Sequence, residues 1–357
     1  MSASAISDIQ RLVECQSPTE DLAACTKVVD LAVEIANKVL STPAKAITEN
    51  GRPVFWWGAA NPKIVLLCHL DTVWPHNSFI PTWKIDGDNA KGPGVFDMKA
   101  GFVQALYAVK DTAGAESKVA LVATTDEETG SATSKGLIEK LAKGAEAVLV
   151  FESAIDGKVK TGRKGTSMYQ IIVTGKAAHA GLEPEKGINA TVELAKLILQ
   201  ITSLENPALG TTVVPTVMQS GTTTNTVPAQ AKLDIDIRSF TMAELNRVDA
   251  AIKSLNSDNA KVEVIGGINR PPLETSSTLE LYEKLESVAK SLGMPEIGHA
   301  SVGGASDGNL AAAAGAKVLD GLGAVGVGAH APTESLVISS VEPRIKLTTA
   351  FIAELLK

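Results

Sequence analysis

The sequence contains few cysteines, and their arrangement excludes two kinds of structural site. Only three occur among 357 residues, at Cys15, Cys25 and Cys68, and no two of them form a Cys-x-x-Cys pair. An odd and dispersed set of this kind does not build a disulfide framework or a zinc site made of thiolates. We therefore expect the three thiols to be free.

The sequence also lacks a long apolar segment and a basic region. The N-terminus has no basic stretch followed by an apolar run, so we expect no secretory signal and a cytoplasmic location. The Ala- and Gly-rich stretch 311–329 is interrupted by Lys317 and Asp320, so we expect no membrane span and no membrane partner. The formal net charge of -7 argues against a nucleic-acid partner, because such proteins need a basic face.

The chain is long enough for two domains, and its strand patterns predict an α/β class for the larger one. Apolar runs such as residues 64–68 are typical of strands buried on both faces, and they alternate with helical segments. We predict a mixed, mostly parallel sheet with helices on both faces, formed by residues 1–163 and 271–357. Helical spacing of apolar residues predicts helix over residues 4–40 and again from Met98 to Lys110.

The segment 164–270 has a different pattern and is predicted to be an inserted domain. Its elements follow the order strand, helix, strand, strand, helix, strand, which is typical of a ferredoxin-like α+β module. The pair Pro271-Pro272 then interrupts the chain before the helix-strand alternation resumes.

Acidic or imidazole side chains follow each buried strand of the larger domain. His69 follows the first strand, Glu127 and Glu128 follow the second, Glu152 follows the third, and Asp97 opens a helix between them. Ligands in open α/β sheets bind outside the carboxyl ends of the strands. We therefore expect these five side chains to converge on one rim of the sheet.

So many carboxylates in one cleft require positive charge, because neighbouring carboxylates raise each other's pKa. A pair of divalent cations would supply that charge, and imidazole with carboxylate is a ligand set that suits catalytic zinc. Taken singly, each residue has an ordinary interpretation. His69 could be a structural histidine, Asp97 a helix N-cap, and the Glu127-Glu128 pair a solvated turn. Their placement at successive strand ends favours the metal hypothesis.

Several motifs resemble one family of zinc exopeptidases, which includes glutamate carboxypeptidase, aminoacylase, acetylornithine deacetylase and succinyl-diaminopimelate desuccinylase. The resemblance covers essentially the whole chain and is strongest in five segments, which are His69-Leu-Asp-Thr-Val, Gly94-Val-Phe-Asp-Met-Lys-Ala-Gly, Asp126-Glu-Glu-Thr-Gly-Ser, Gly175-Lys-Ala-Ala-His-Ala-Gly and Gly303-Gly-Ala-Ser-Asp. The motifs are specific for the family and much less specific for the substrate.

The resemblance implies two Zn²⁺ ions per subunit, with Co²⁺ or Mn²⁺ as substitutes. His69 and Glu152 would bind one ion, Glu128 and His330 the other, and Asp97 together with a water or hydroxide would bridge them. Glu127 would be the general base. Asp71 would orient the His69 ring, a role expected of carboxylates behind metal-bound imidazoles. An acid near His330, here Glu334, is also common in the family.

Further roles are implied for the inserted domain, which resembles the family's lid and dimerisation domain. His179 would stabilise the oxyanion of the intermediate, within its own subunit or across a homodimer. Arg270 would hold the substrate carboxylate, because a guanidinium fork pairs both carboxylate oxygens. An exposed hinge arginine is the ordinary alternative. The other positions implied for substrate binding are Asn225, Arg238, the Gly304 backbone and, by a loose correspondence, Lys158.

The predicted function is hydrolysis of an amide bond next to a free carboxylate, with a small N-acyl amino acid or short peptide as substrate. A glutamate carboxypeptidase is the first choice. An N-acyl-amino-acid deacylase is the alternative, because both reactions use the same motifs. A catalytically inactive binding protein with this fold is a more remote alternative, marked by loss of ligand residues, and no ligand position is vacant here.

Overall fold

A computed structural model describes residues 2–357 and divides the chain into two compact units. The first unit comprises the described residues up to Gly162 together with Thr275–Val302 and Ser306–Lys357. The inserted unit comprises Arg163–Glu274 and Gly303–Ala305. We expected the chain to leave the larger domain after residue 163 and return to it after residue 270. The short Gly303–Ala305 loop of the inserted unit had no counterpart in the sequence analysis.

The secondary structure alternates between helices and strands. The α-helices are α1 (Ser2–Glu14), α2 (Leu22–Val39), α3 (Ala100–Lys110), α4 (Ala115–Lys118), α5 (Lys135–Gly144), α6 (Ala190–Thr202), α7 (Met242–Lys253), α8 (Leu279–Ser291), α9 (Asp307–Ala313) and α10 (Val341–Leu355). The strands are β1 (Lys45–Glu49), β2 (Arg52–Gly58), β3 (Ile64–His69), β4 (Lys84–Asp86), β5 (Asn89–Lys91), β6 (Val119–Thr124), β7 (Ala147–Val150), β8 (Val159–Arg163), β9 (Gly165–Thr174), β10 (Thr212–Ser220), β11 (Gln230–Ser239), β12 (Lys261–Arg270), β13 (His299–Val302), β14 (Val318–Leu319), β15 (Gly326–Val327) and β16 (Ser335–Val337).

The main sheet of the first unit has six strands in the order β1-β2-β6-β3-β7-β14. The pairs β6-β3, β3-β7 and β7-β14 are parallel, whereas β1-β2 and β2-β6 are antiparallel. Every residue of β3, β6 and β7 is buried, so both faces of these strands are covered. The predicted α/β class, with a mostly parallel sheet and helices on both faces, is confirmed.

The inserted unit contains one antiparallel sheet in the order β10-β11-β9-β12. Alternate residues of β9 and β11 face a core that also receives the apolar sides of α6 and α7, including Ile171, Leu194, Ile235 and Val248. The element order β9-α6-β10-β11-α7-β12 is the one predicted from the sequence.

Two of the predicted helix boundaries are wrong. The expected helix over residues 4–40 is interrupted between Glu14 and Leu22, because Pro18 cannot donate an intrahelical hydrogen bond and Asp21 caps the second helix through the Ala24 N–H. The helix expected to begin at about Met98 begins at Ala100, because Met98 and the residue before it lie outside helical conformation. Within residues 2–357, no helix combines the length and apolar character needed to cross a bilayer.

Candidate metal centre

The parallel strands of the first unit bring their carboxyl ends to one edge of the sheet. Strand β3 pairs in parallel with both β6 and β7, and it ends at His69. Strand β6 leads into a helical turn that contains Glu127 and Glu128, and β7 is followed closely by Glu152. Because these ends are adjacent in the sheet, side chains distant in the sequence meet there.

Asp97 lies between two imidazole rings. Its Oδ1 is 3.4 Å from Nε2 of His69, and its Oδ2 is 3.4 Å from Nε2 of His330. The two oxygens of one carboxylate therefore face two different imidazoles. A carboxylate shared by two cations requires this arrangement.

Each imidazole also faces a second carboxylate of its own. Glu152 Oε1 is 3.5 Å from Nε2 of His69, and Glu128 Oε2 is 3.0 Å from Nε2 of His330. The structure thus brings the residues into two sets that share Asp97, and these are the sets that the family resemblance implied. Their role as metal ligands stays a prediction.

Glu127 belongs to the same cluster. One of its carboxylate oxygens lies within 4.8 Å of ligand atoms of His69 and Glu152, so its carboxyl group faces the cluster from the β6 side. This position suits a base that acts on a group held between the imidazoles, and it also lies within reach of a metal.

Asp71 contacts the Nδ1 side of the His69 ring. Its Oδ1 and its backbone oxygen lie 3.4 Å and 3.1 Å from Nδ1 of His69, while its Oδ2 accepts hydrogen bonds from the Thr19 hydroxyl and the Glu128 N–H. A proton on Nδ1 directed at Asp71 would leave Nε2 of His69 free to bind a metal. The structure therefore places Asp71 where the resemblance implied an orienting carboxylate.

The cluster has polar atoms that a cation would satisfy. His69 Nε2, Asp97 Oδ1 and Glu128 Oε1 are buried without a hydrogen-bond partner among the described residues. Buried polar atoms in proteins are almost always bonded, so these three mark a site for another group. Since two are carboxylate oxygens and one is an imidazole nitrogen, the group that fits is a divalent cation such as zinc.

The shifted pKa values of the cluster also indicate that it binds positive charge. Burial opposes a proton on the imidazole of His69, but Asp71, Asp97 and Glu152 raise its pKa well above the ordinary value. Asp97 and Glu128 raise the pKa of His330 to about 10. Burial would raise the pKa of Asp97, but the nearby imidazoles of His330 and His69 hold it well below its usual range. The negative charge of the carboxylates thus has to be balanced by positive charge. Protons on the imidazoles or bound cations supply it.

The sequence analysis did not predict the positions of two residues near the cluster. Lys158, which we matched to a family lysine, is exposed, whereas Lys160 is buried on β8 with its Nζ 4.0 Å from Glu152 Oε2. Lys158 lies just before β8 and Lys160 lies within it, where every residue is buried. Glu334, noted only as a nearby acid, is fully buried and accepts hydrogen bonds from the Phe96 and Asp97 N–H groups.

His179 lies on an exposed loop of the inserted unit, which is held by backbone bonds to the segment around Asn225. Its Nδ1 accepts hydrogen bonds from the N–H groups of Gly181 and Leu182. An imidazole nitrogen that accepts in this way carries no proton, so the proton of the neutral ring is on Nε2. The loop therefore presents an N–H donor, as an oxyanion-stabilising role requires.

The other predicted substrate residues of the inserted unit differ in how they are held. Asn225 is exposed, and its backbone oxygen accepts from Ala180 N–H. Arg238 directs two nitrogens at both oxygens of Asp236, so its fork is already paired and its predicted contact with substrate gains no support. Arg270 ends β12 and is buried, unlike an exposed hinge residue. The Gly304 oxygen accepts a hydrogen bond from the Arg163 guanidinium.

Comparison with known proteins identifies a family for this chain. The model of peptidase family M20/M25/M40 matches residues 65–354. Carboxypeptidase G2 of Pseudomonas sp. strain RS-16 is 32% identical over 318 residues, covering 84% of this chain and 75% of that protein. A succinyl-diaminopimelate desuccinylase of Sulfurimonas denitrificans is 25% identical over 279 residues, covering 71% and 73%.

Solved structures share the fold. Aminopeptidase PepT from Bacillus cereus has a TM-score of 0.79 at 20% identity and covers 100% of this chain and 99% of its own. An M20 family metallo-carboxypeptidase from Sulfolobus solfataricus has a TM-score of 0.72 at 19% identity and covers 99% of each chain. The family model spans most of the sequence, including every residue of the acidic cluster. The chain is therefore a hydrolase of the metallopeptidase type and belongs to peptidase family M20/M25/M40.

Proposed function

We propose that this chain is a two-metal carboxypeptidase that cleaves the amide bond next to a free carboxylate and releases an amino acid such as glutamate. The observation that carries the proposal is Asp97, whose two oxygens each face a different imidazole, His69 and His330. The similarity to carboxypeptidase G2 supports a carboxypeptidase.

The two metal positions follow from the side chains that meet around Asp97. His69, Glu152 and Asp97 would hold one Zn²⁺ ion, and His330, Glu128 and Asp97 the other, with Co²⁺ or Mn²⁺ as substitutes. Two such ions polarise the scissile carbonyl group and lower the pKa of water so that it can attack at neutral pH.

The remaining steps fall to the side chains of the chain itself. Glu127 takes a proton from the attacking water and delivers it to the nitrogen of the leaving amine, as a general base that becomes a general acid. His179 donates a hydrogen bond from its Nε2–H to the carbonyl oxygen as negative charge develops there. The neutral tautomer fixed by Gly181 and Leu182 supports this role.

Substrate orientation depends on recognition of the free carboxylate. Arg270 would pair with both carboxylate oxygens and so align the amide bond. Arg270 is buried at the end of β12, where a substrate contact would be shielded from water. An Arg270→Lys variant should mainly raise KM, because a lysine offers a point charge in place of the planar fork.

The alternative is an N-acyl-amino-acid deacylase. The resemblance to a succinyl-diaminopimelate desuccinylase favours it, since that enzyme's name describes removal of an acyl group. Both reactions break an amide next to a carboxylate. The inactive binding protein is disfavoured because every expected ligand position is filled and the side chains meet.

A substrate panel distinguishes these functions. Purified protein with zinc would be assayed on peptidyl and N-acyl derivatives of glutamate, aspartate and ornithine. Preference for peptidyl or aroyl glutamates supports the carboxypeptidase, and preference for N-acylornithine supports the deacylase. The Glu127→Ala variant should lose almost all turnover while retaining zinc by elemental analysis. Turnover retained by this variant would exclude the assigned role of Glu127.

For assembly, we propose a homodimer formed through the inserted unit. Strand β10 lies at one end of its sheet and exposes Val214, Val217 and Met218, and the neighbouring α6 exposes 74% of Leu199. An exposed apolar edge strand tends to pair with another chain. Light scattering of Val217→Lys should report a monomer where the parent chain is a dimer. The expected cytoplasmic location stays a prediction.

A further inference from the structure

Glu334 is a buried carboxylate that accepts four hydrogen bonds. Its Oε1 accepts from the N–H groups of Phe96 (2.9 Å) and Asp97 (3.1 Å). Its Oε2 accepts from the N–H of Gly94 (3.1 Å) and the indole Nε1 of Trp74 (2.6 Å). The side chain is completely inaccessible to solvent. Three of the four donors belong to the short backbone segment that carries Asp97.

This segment is a distorted helical turn rather than a regular helix or strand. Gly94 has a left-handed backbone (φ 72°), and the two residues that follow Phe96 lie outside helical conformation. A side chain at Gly94 would meet the Thr72 side chain at 2.5 Å, so the segment is also packed tightly. Because the N–H groups of Gly94, Phe96 and Asp97 donate to Glu334, the position of Asp97 depends on that carboxylate.

Glu334 also lies in the turn that carries His330. Its own N–H donates to the Ala331 oxygen, and the Ala331 N–H donates to the Gly328 oxygen, both at 2.8 Å. His330 in this turn has a left-handed backbone (φ 59°), which is costly for a residue with a side chain. One carboxylate therefore connects the turn of His330 to the segment of Asp97, although they are more than 200 residues apart.

The two imidazoles of the centre differ in how much they depend on this connection. His69 is buried at the end of β3 and contacts Asp71 directly. The His330 side chain is 52% exposed and lies on a loop. Loss of the Glu334 bonds should therefore disturb the His330 side of the centre more than the His69 side.

We propose that Glu334 is a positioning residue that holds Asp97 and His330 in the arrangement needed for the second of the two metal ions. This inference rests on the proposed two-metal function. Glutamine cannot replace the carboxylate. One of the two acceptor oxygens would become an NH₂ group, whose hydrogens would face N–H donors. An unpaired buried donor costs about 1–3 kcal/mol, so the segment would shift to find other partners.

Metal titration of the full chain tests the proposal. Wild type and Glu334→Gln, freed of metal, would be titrated with Zn²⁺ against a chromophoric chelator and with Co²⁺ followed by visible absorption. We expect wild type to bind two ions. The variant should bind the first ion with unchanged affinity and the second about 10–100-fold more weakly, as for other residues that support metal ligands. Two unchanged affinities in the variant would overturn the proposal.

Glu286→Gln is the matched control. Glu286 also accepts backbone hydrogen bonds in the first unit, from Ile297 (3.0 Å) and Gly298 (2.8 Å), but that loop carries none of the predicted metal ligands. Its variant should bind both ions normally. Equal weakening of the second ion in both glutamine variants would indicate general destabilisation and would also overturn the proposal.

Two further results separate folding and function. If circular dichroism shows that Glu334→Gln is unfolded, Glu334→Asp decides, since it keeps the charge with a shorter reach. Weaker binding of the second ion to a folded Glu334→Asp supports positioning, and wild-type binding of both ions overturns it. A wild-type chain that binds fewer than two ions would overturn the proposed function itself, and this inference with it.

Discussion

The two units hold their predicted site residues in different ways. In the first unit, ligand atoms of His69, Asp97 and Glu128 lie within 4.8 Å of one another, so the cluster can be understood from its own geometry. In the inserted unit, His179 is exposed on a loop, and Arg238 is already paired with Asp236. Geometry alone thus argues for a metal centre in one unit, whereas in the other it argues only for one available N–H donor.

Removal of the metal ions should produce the largest difference in behaviour between the two units. Since every predicted ligand lies in the first unit, a chelator should abolish turnover and lower the thermal stability of that unit alone. A ligand present at 1,000 times its Kd stabilises the folded state by about 4 kcal/mol. Differential scanning calorimetry with and without chelator measures this, and added zinc should restore both properties. A shift confined to the unfolding transition of the inserted unit would contradict the assignment.

His179→Ala should lower turnover without changing the metal content or the stability of the first unit. If the imidazole donates to the developing oxyanion, its loss should lower kcat by roughly 10²–10³-fold, as for other oxyanion donors. Zinc content and the stability of the first unit should not change, because His179 belongs to the inserted unit. His76→Ala is a suitable control, because that exposed imidazole lies 3.0 Å from Asp21, which is not one of the predicted site residues. Turnover as fast as that of the control would rule out the role of His179.

Core substitutions should affect each unit separately and by smaller amounts. Ile64 is buried on β3 of the first unit, and Ile235 is buried on β11 of the inserted unit. Replacement of either by valine should cost about 0.5–1.5 kcal/mol through the lost methylene group. Each variant should lower only the unfolding transition of its own unit in calorimetry. A loss shared by both transitions would show that the units unfold as one.

The sequence predicted the elements whose pattern is local. The buried runs of β3, β6 and β7 and the alternation of β9 and β11 follow from side-chain periodicity, and they suffice to place His69 and Glu152 at one edge. The interruption at Pro18 was missed because the apolar spacing of α1 and α2 continues on both sides of it.

The unpredicted features depend on contacts between distant parts of the chain. Glu334 binds the Asp97 segment from 237 residues away, and no local pattern announces such a bond. Lys160 beside Glu152 was missed because the resemblance drew attention to Lys158, which lies before the fully buried strand β8 and is exposed. Roles assigned by resemblance alone, such as those of Asn225 and Gly304, stay predictions.

The smallest expected difference between the units concerns acid stability. Hydrogen bonds from Arg247 lower the pKa of Glu244, in the inserted unit, from 4.5 to about 2, against an opposing effect of burial. A carboxyl group whose pKa is depressed by folding contributes its full stability above the unfolded value and loses it below. The contribution should therefore be complete above about pH 4.5 and disappear as the pH falls toward 2. The Arg247 side chain is 42% exposed, so solvent keeps the effect small.

Urea unfolding of the inserted unit between pH 5 and pH 2.5 measures this contribution. The parent chain should lose more stability over that interval than Glu244→Gln, whose amide does not titrate. The first unit should show the same pH dependence in both proteins, because Glu244 contacts Arg247 and Thr211, which both lie in the inserted unit. Parallel pH profiles of the inserted unit in the two proteins would mean that this ion pair contributes nothing to its acid stability.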